Sequence, residues 1–405
     1  MGHQNLVVLI GVLTLIPGAA LNSQNTENEN GLRQDFELEI EGEYRYFYEE
    51  AQFNGQADHY PALAFRPEYA LEWETGYQSL NFKGFLRLDR DGPRTHWDIR
   101  ELYYQKAKNN WELSIGLKKI FWGVIESNHL VDIINQTDAV ETFDGEEKLG
   151  QPLVQFSWIT NNVGTFDFFY LPFHRERTFA GSEGRLRFAT VIDKDDLGYE
   201  SGAQQWRQDL AIRWKHYIGA FDIGLSHFYG TGREPLFVFA PSGDIEAFYP
   251  VIHQSGIDLQ ITHNAFLWKL EGIYRDADAQ NFVAFAAGLE YTFSNIDGNG
   301  LDIGVLGEYS YDERDELALT ALQNDLFLGS RIAFNDVQDT SILFGGITDL
   351  QTSSTIYSLE ASRRFGQSIT VAVEARIFDN IATDELILSN FAEDSFLRIA
   401  VSWFL

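Results

Sequence analysis

Apolar and polar residues alternate one by one over segment after segment of this chain, and a period of two restricts those segments to β-strands. From Phe36 the apolar set Phe36, Leu38, Ile40, Tyr44, Tyr46 and Tyr48 is interleaved with Glu37, Glu39, Glu41, Glu43 and Arg45. The last ten residues place Leu397, Ile399, Val401, Trp403 and Leu405 on one face and Arg398 on the other. Similar stretches recur near 63–74, 80–89, 94–107, 111–121, 152–160, 163–172, 205–217, 219–230, 255–264 and 265–276. More follow near 281–293, 300–312, 323–335, 339–350, 354–365 and 366–378, so the expected total is about 18 strands. The segment 94–107 alternates poorly.

The connections sort by parity. Gly76-Tyr77, Asn109-Asn110, Asn161-Asn162, Ile218-Gly219, Asn264-Ala265, Asp336-Val337 and Phe365-Gly366 are tight turns, and 295–299 is slightly longer. Most of the others are long: 49–61, 122–151, 173–204, 231–254, 313–322 and 379–393. Strict alternation of short and long links is the pattern of an outer-membrane barrel, with turns facing the periplasm and loops facing outside. After residue 20 no apolar run reaches the roughly 18 residues of a membrane helix. Only helices and closed barrels satisfy their backbone in lipid. The expectation is an all-β, transmembrane antiparallel β-barrel of about 16–18 strands with both termini periplasmic.

The apolar run Leu6 to Ile16, followed by Pro17-Gly18-Ala19-Ala20, reads as a signal peptide over residues 1–20. Residues 21–34, rich in Asn and Glu, read as a periplasmic leader, and 35–405 as the barrel. The expected location is the outer membrane of a Gram-negative cell. The chain has no cysteine, which excludes thiolate metal sites and thiol nucleophiles. Its 60 acidic and 30 basic residues leave a net charge of −30 and argue against nucleic acid as a partner. Aromatic residues, 15% of the chain, suit the girdles at the two membrane interfaces.

Residues of this chain could serve three kinds of chemistry: hydrolysis, metal binding and transport. Ser226-His227 and Thr262-His263 are adjacent pairs, and strand neighbours point to opposite faces, so neither is a hydrolytic dyad. His227 and His263 fall in phase with the apolar girdle. No enzyme activity and no cofactor are expected. Loop acids Asp193, Asp195, Asp196, Asp312, Glu313, Asp315 and Glu316 lack a calcium-loop spacing and read as solvated surface. Their functional alternative is weak Ca²⁺ or Mg²⁺ bridging to lipopolysaccharide. Transport is the third class. The polar face of the wall carries Arg45, Arg87, Arg100, Arg213, Arg331, Arg376 and Arg398. Facing lipid near the midplane, each would cost roughly 2–4 kcal/mol, and facing a water-filled lumen very little. Opposed rows of charge in a lumen set selectivity, although cross-strand pairing that only braces the wall explains many of them.

The segment from Lys119 to Asp138 opens the third long connection. Ile125, Leu130, Val131, Ile133 and Ile134 require burial, which suggests that the 122–151 loop folds inward. Trp122, Glu126, Asn128, Asp132, Asn135 and Asp138 then become candidates for a constriction, with a lid over the mouth or an inner-wall brace as the alternative. Trp122-Gly123, Glu126 and Asp132-Ile133-Ile134-Asn135-x-x-Asp138 resemble the "WGE…INP.D" signature of a family of porin-like outer-membrane proteins. Arg100-Glu101-Leu102-Tyr103-Tyr104 resembles the strand that precedes it. Gln136 stands where that family carries Pro. The resemblance implies an outer-membrane barrel and no agreed substrate.

The expected function is passive, porin-like diffusion of small polar solutes or ions through the outer membrane. The alternative is a surface or adhesion barrel with an occluded lumen and partner-binding acidic loops. Expected partners are outer-membrane lipid and lipopolysaccharide, the barrel-assembly machinery through the C-terminal strand, the solute itself, and further copies of the chain in a homo-oligomer.

Overall fold

The structure is a computed structural model and describes residues 26–27, 31–192, 197–239, 245–278, 280–315, 318 and 320–405. The expected signal peptide and most of the expected leader fall outside these residues, as do Asp193, Asp195, Asp196 and Glu316.

Eighteen antiparallel strands close into a barrel. They are β1 Arg33–Phe47, β2 His59–Trp73, β3 Gln78–Leu88, β4 His96–Lys108, β5 Trp111–Lys118 and β6 Gln151–Thr160. Next come β7 Gly164–Leu171, β8 Asp209–Ile218, β9 Phe221–Thr231, β10 Val251–His263, β11 Phe266–Ala277 and β12 Phe282–Ile296. The last are β13 Leu301–Asp312, β14 Asn324–Ala333, β15 Ser341–Asp349, β16 Thr355–Phe365, β17 Ile369–Asp379 and β18 Phe396–Phe404. Each strand pairs with its neighbour in sequence. β18 returns to β1 in a register running from Glu39↔Phe404 to Phe47↔Phe396, which leaves the sheet without an edge. Thr26–Glu27, within the expected leader, pair with Gln34 and Arg33 at the start of β1.

Short turns gather at one end. Asn264, between β10 and β11, takes a left-handed φ of 55°, which Asn tolerates well. The opposite end carries the long loops 48–58, 119–150, 172–208, 232–250 and 380–395. β1 starts and β18 finishes at the turn end, where Leu38 and Leu405 exchange backbone hydrogen bonds.

Alternation along each strand separates the two faces. Leu397, Ile399 and Val401 lie exposed on the outside, beside comparable rows from every other part of the wall. So much exposed apolar surface is a lipid-facing belt. Near the turn end it finishes in paired rings: Trp73 stacks with Tyr104, Trp111 with Phe156 and Phe266 with Trp268, while Tyr291 meets Phe266 edge-on. The inside carries the charges, among them Glu43, Arg87, Arg213, Lys269, Glu271, Glu308 and Arg376.

The weak alternation of β4 has a local cause. Lys83 pairs with Glu101 but Gly84 pairs with Ile99, so Arg100 is an extra residue in a β-bulge. The phase of the strand flips there, and Trp97 stands on the outside in a segment that reads as irregular in sequence.

Candidate constriction inside the barrel

The 119–150 loop enters the lumen because two apolar surfaces need each other. Trp122, Val131, Ile133 and Ile134 form one cluster with Leu153, Phe169, Leu171, Ala211, Phe228, Ile252, Ile273, Phe282 and Ala284. These wall residues belong to the inward rows of β6 to β12, where water would otherwise meet bare hydrocarbon. Val131 and Ile134 are fully buried, and each such side chain contributes about 1.5–3 kcal/mol. Val131 settles over Gly256 of β10, where a Cβ would lie 3.2 Å from its Cγ1.

Polar anchors set the path of the loop. The guanidinium of Arg213 lies 5.0 Å from the Trp122 ring centroid while donating to Asp258 at 2.8 Å. Glu271 of β11 then accepts the backbone N–H groups of Val124 at 2.6 Å, Ile125 at 3.0 Å and Val131 at 3.2 Å. Gly123 turns with φ +148° immediately before the first two of these amides, and a Cβ there would sit 2.9 Å from Nδ1 of His129 and 3.1 Å from Glu271. Glu308 of β13 repeats the device, accepting from the amides of Glu126 at 2.9 Å and Ser127 at 2.8 Å.

The loop thereby forms two arms. The first reaches β14, where Glu126 accepts from Arg331 at 2.5 Å. The second runs back past β4 and β3 toward β17. Asp138 accepts from Arg100 at 2.5 Å and from Thr178 at 2.6 Å. Burial opposes the charge of Asp138, but His96, Arg100 and Thr178 hold its carboxyl far below the usual range. Glu141 accepts from Arg87 at 3.0 Å, and Asp144 accepts from Arg376 at 2.9 Å. Phe143 plugs the tip between Phe378 and Phe391. Asn135 ties the base of the arms together, accepting from Ile120 N–H and donating to the carbonyls of Lys118 and Leu149. Asp132 lies buried beside Lys148 at 3.6 Å and accepts from the Trp122 amide.

The residues anticipated for a constriction therefore occupy distinct places. Trp122, Asp132, Asn135 and Asp138 are buried where the loop meets the wall or itself. Glu126 and Asn128 are half-buried on the first arm. Arg87 and Arg100 bond the second arm, Arg213 the base of the first, and Arg376 the second tip. Arg45 stacks on Phe396 and faces Glu43 at 3.7 Å. Arg398 spans β18 to its two neighbours. Arg331 is the most exposed of the seven arginines, with 43% of its side-chain surface open. Lys269, Glu271, Glu290 and Glu308 join this set; strand phase alone already places Glu271 and Glu308 on the inner face, and Lys269 and Glu290 are added by the structure. The signal was present in sequence: Phe169, Leu171, Phe228, Ile252, Ile273 and Phe282 are apolar at inward positions, a sign that something covers them.

Two further loops lie over the mouth. The 172–208 loop crosses from β7 toward β18, donating from the Gly181 amide to Asp91 at 2.9 Å and from Arg185 to Asp394 at 2.5 Å. In the 232–250 loop, Arg233 donates to the Ile134 carbonyl at 3.0 Å, and Glu234 accepts from Arg275 and Arg314. Burial opposes ionisation of Glu234, but those two arginines bring its pKa down to about 2. Of the loop acids, Asp312 accepts from Arg314 and Glu313 from the Val283 amide. His96, Asp138 and Glu141 offer donor atoms within 4.8 Å of one another. Arg100 and Arg87 already occupy those carboxylates, so a cation there would compete with two guanidiniums. His227 lies on the outer face, bonded to Ser255 at 2.9 Å, apart from the inward-facing Ser226.

With 92% of this chain aligned in each case, OccD3 (OpdP) of Pseudomonas aeruginosa superposes with a TM-score of 0.54 over 91% of its length at 9% identity. OccK3 (OpdO) of the same organism gives 0.52 over 95% of its length at 10% identity. The fold is porin-like. A Rhodopseudomonas blastica porin mutant aligns over its whole length at 12% identity with a TM-score of 0.47. No protein-family profile and no curated protein sequence matches the chain. At such identities the likeness concerns architecture alone, and the residues of the loop must speak for themselves.

Proposed function

We propose that this barrel is a passive diffusion channel of the Gram-negative outer membrane, exported by an N-terminal signal peptide and passing small polar solutes or ions. The long loops face the exterior and both chain ends the periplasm. Trp403 and its neighbours at the end of β18 present the belt read by the barrel-assembly machinery, and the outer belt meets lipid and lipopolysaccharide.

One observation carries this reading. The 119–150 loop reaches the far wall at two points, Arg331 and Arg376, yet charge at and beside these points stays open to water. Arg331 on β14 and Glu360 on β16 keep 43% and 48% of their side-chain surface open. Side chains that point into the barrel and stay this exposed fit a water-filled space beside the loop. A narrowed lumen, rather than a filled one, is the arrangement a diffusion pore needs.

Planar-bilayer recording tests the proposal. Purified, refolded protein should give discrete conductance steps, and deletion of residues 124–149 should raise the step size greatly. No steps from correctly refolded protein would sink the channel reading. The second reading, an occluded barrel whose loops bind an external partner, draws on the Arg185–Asp394 latch across the mouth. An unchanged, near-zero conductance after the deletion would favour it.

A further inference from the structure

We propose that the passage prefers cations, and that the carboxylates of the loop turn Asp144–Glu147 and of Glu360 set this preference. The inference rests on the channel reading and adds the class of solute to it.

Counting luminal charges alone suggests a mixed field, because arginines and acids both line the wall. Their exposure is unequal. Arg87, Arg100 and Arg376 keep 2%, 5% and 7% of their side-chain surface. Asp144, Glu147, Glu360 and Glu146 keep 35%, 38%, 48% and 51%. The guanidiniums are spent on holding the loop to the wall, and the solute meets the acids. A cation in the passage therefore approaches carboxylate oxygens directly, whereas an anion finds most guanidiniums behind them.

The stoichiometry of the ion pairs points the same way, independently of exposure. Arg376 is shared by Asp144 at 2.9 Å, Glu360 at 2.6 Å and Glu374 at 3.6 Å, and among the described residues only Glu374 has a second guanidinium, that of Arg398 at 3.4 Å, which Glu41 and Glu43 also claim. On the other arm, Lys269 stands within 3.7–4.0 Å of Glu290, Glu308 and Glu126. Arg331 adds a second cation to that group, and the hydrogen bonds that Glu271 beside it accepts come from three backbone amides. Lys119, an exposed cation at the start of the loop, is tied to Glu147 at 2.5 Å. Both arms thus carry surplus negative charge. In a passage narrower than about two Debye lengths of roughly 8 Å each, the two fields overlap.

The test is the reversal potential of the refolded, full-length protein in a planar bilayer under a KCl gradient. The expected result is a severalfold preference for K⁺ over Cl⁻. The double variant Glu146→Gln, Glu360→Gln should bring that ratio toward unity. Both side chains lie about half open to water, and neutral isosteres keep their shape, so step conductance should persist. A conducting channel that favours Cl⁻, or a K⁺ preference untouched by the double variant, overturns the assignment and leaves the channel reading intact. Loss of all conductance in the unaltered protein overturns the channel reading and this inference with it.

Discussion

Nε of Arg398, on the last strand, donates to Glu43 on the first at 2.7 Å, and its other nitrogens reach Glu41 at 3.6 Å and Glu374 at 3.4 Å. One guanidinium therefore joins three consecutive strands across the closure of the barrel. It belongs to a wider lattice in which Glu43 also accepts from Arg94 at 2.9 Å and Arg87 at 3.2 Å.

Replacing Arg398 with Ala should weaken that closure. Glu43 keeps its other partners, so the cost is that of lost hydrogen bonds to charge, about 1.5–3 kcal/mol, rather than an orphaned ion. Urea unfolding in detergent should show a lower midpoint with unchanged m-value. An unshifted midpoint would mean that the remaining arginines carry the seam without it.

Gly123→Ala tests how the loop enters the lumen. The substitution forces a Cβ toward His129 and Glu271 at a φ suited to glycine, a strain of order 1–3 kcal/mol. Glu271→Gln should act in the same direction, since an amide oxygen replaces a carboxylate that accepts three backbone N–H groups. Both should give larger, noisier single-channel currents as the first arm leaves the wall. Currents identical to those of the unaltered protein would show that the apolar cluster alone holds the loop.

Arg185→Ala should release the loop across the mouth. The guanidinium is almost wholly buried against Asp394, and removing one partner of such a pair costs about 3–5 kcal/mol because the other charge stays buried. Limited proteolysis should cut within 179–192 faster in the variant while the barrel itself resists. Equal cleavage rates would place the latch elsewhere.

Acidification should loosen the same region through His174. Its ring has no exposed surface, sits edge-on to Tyr249 at 4.7 Å, and finds no well-formed hydrogen bond. Burial, then Arg233, pushes its pKa well below the ordinary histidine value. The folded state thus binds fewer protons than the unfolded one, and stability falls as pH drops below about 6.5. Hydrogen exchange of residues 173–192 should quicken between neutral and mildly acidic pH. His174→Phe should flatten that response, and a response unchanged by the substitution would exclude His174 as its source.

Much of the wall is legible in the sequence, because lipid outside and water inside impose opposite demands at every second residue. The meeting of Arg398 with Glu374 and with the Glu37–Glu43 row follows from phase alone. The bulge at Arg100 hides the strand it interrupts, since one extra residue exchanges the faces. β10 begins at Val251 rather than near 255 because Ile252, an inward apolar residue, is covered by the loop and breaks the polar-inside rule. Within the candidate site, Trp122 and Glu126 stand out by type. Nothing local reveals that Glu271, 147 residues beyond Val124, is the acceptor that shapes the loop. The Arg185–Asp394 latch is equally silent, since neither residue belongs to a periodic segment.

Both the seam and the latch depend on the final strands. Arg398 and Glu43 are 355 residues apart, and Arg185 and Asp394 are 209 apart. Contacts of such separation form late, after the loop-closure entropy of nearly the whole chain has been overcome. Until β17 and β18 arrive, the growing sheet keeps an unpaired edge at β1 and an unfastened cover. A chain truncated before Asp394 would therefore lack both fastenings.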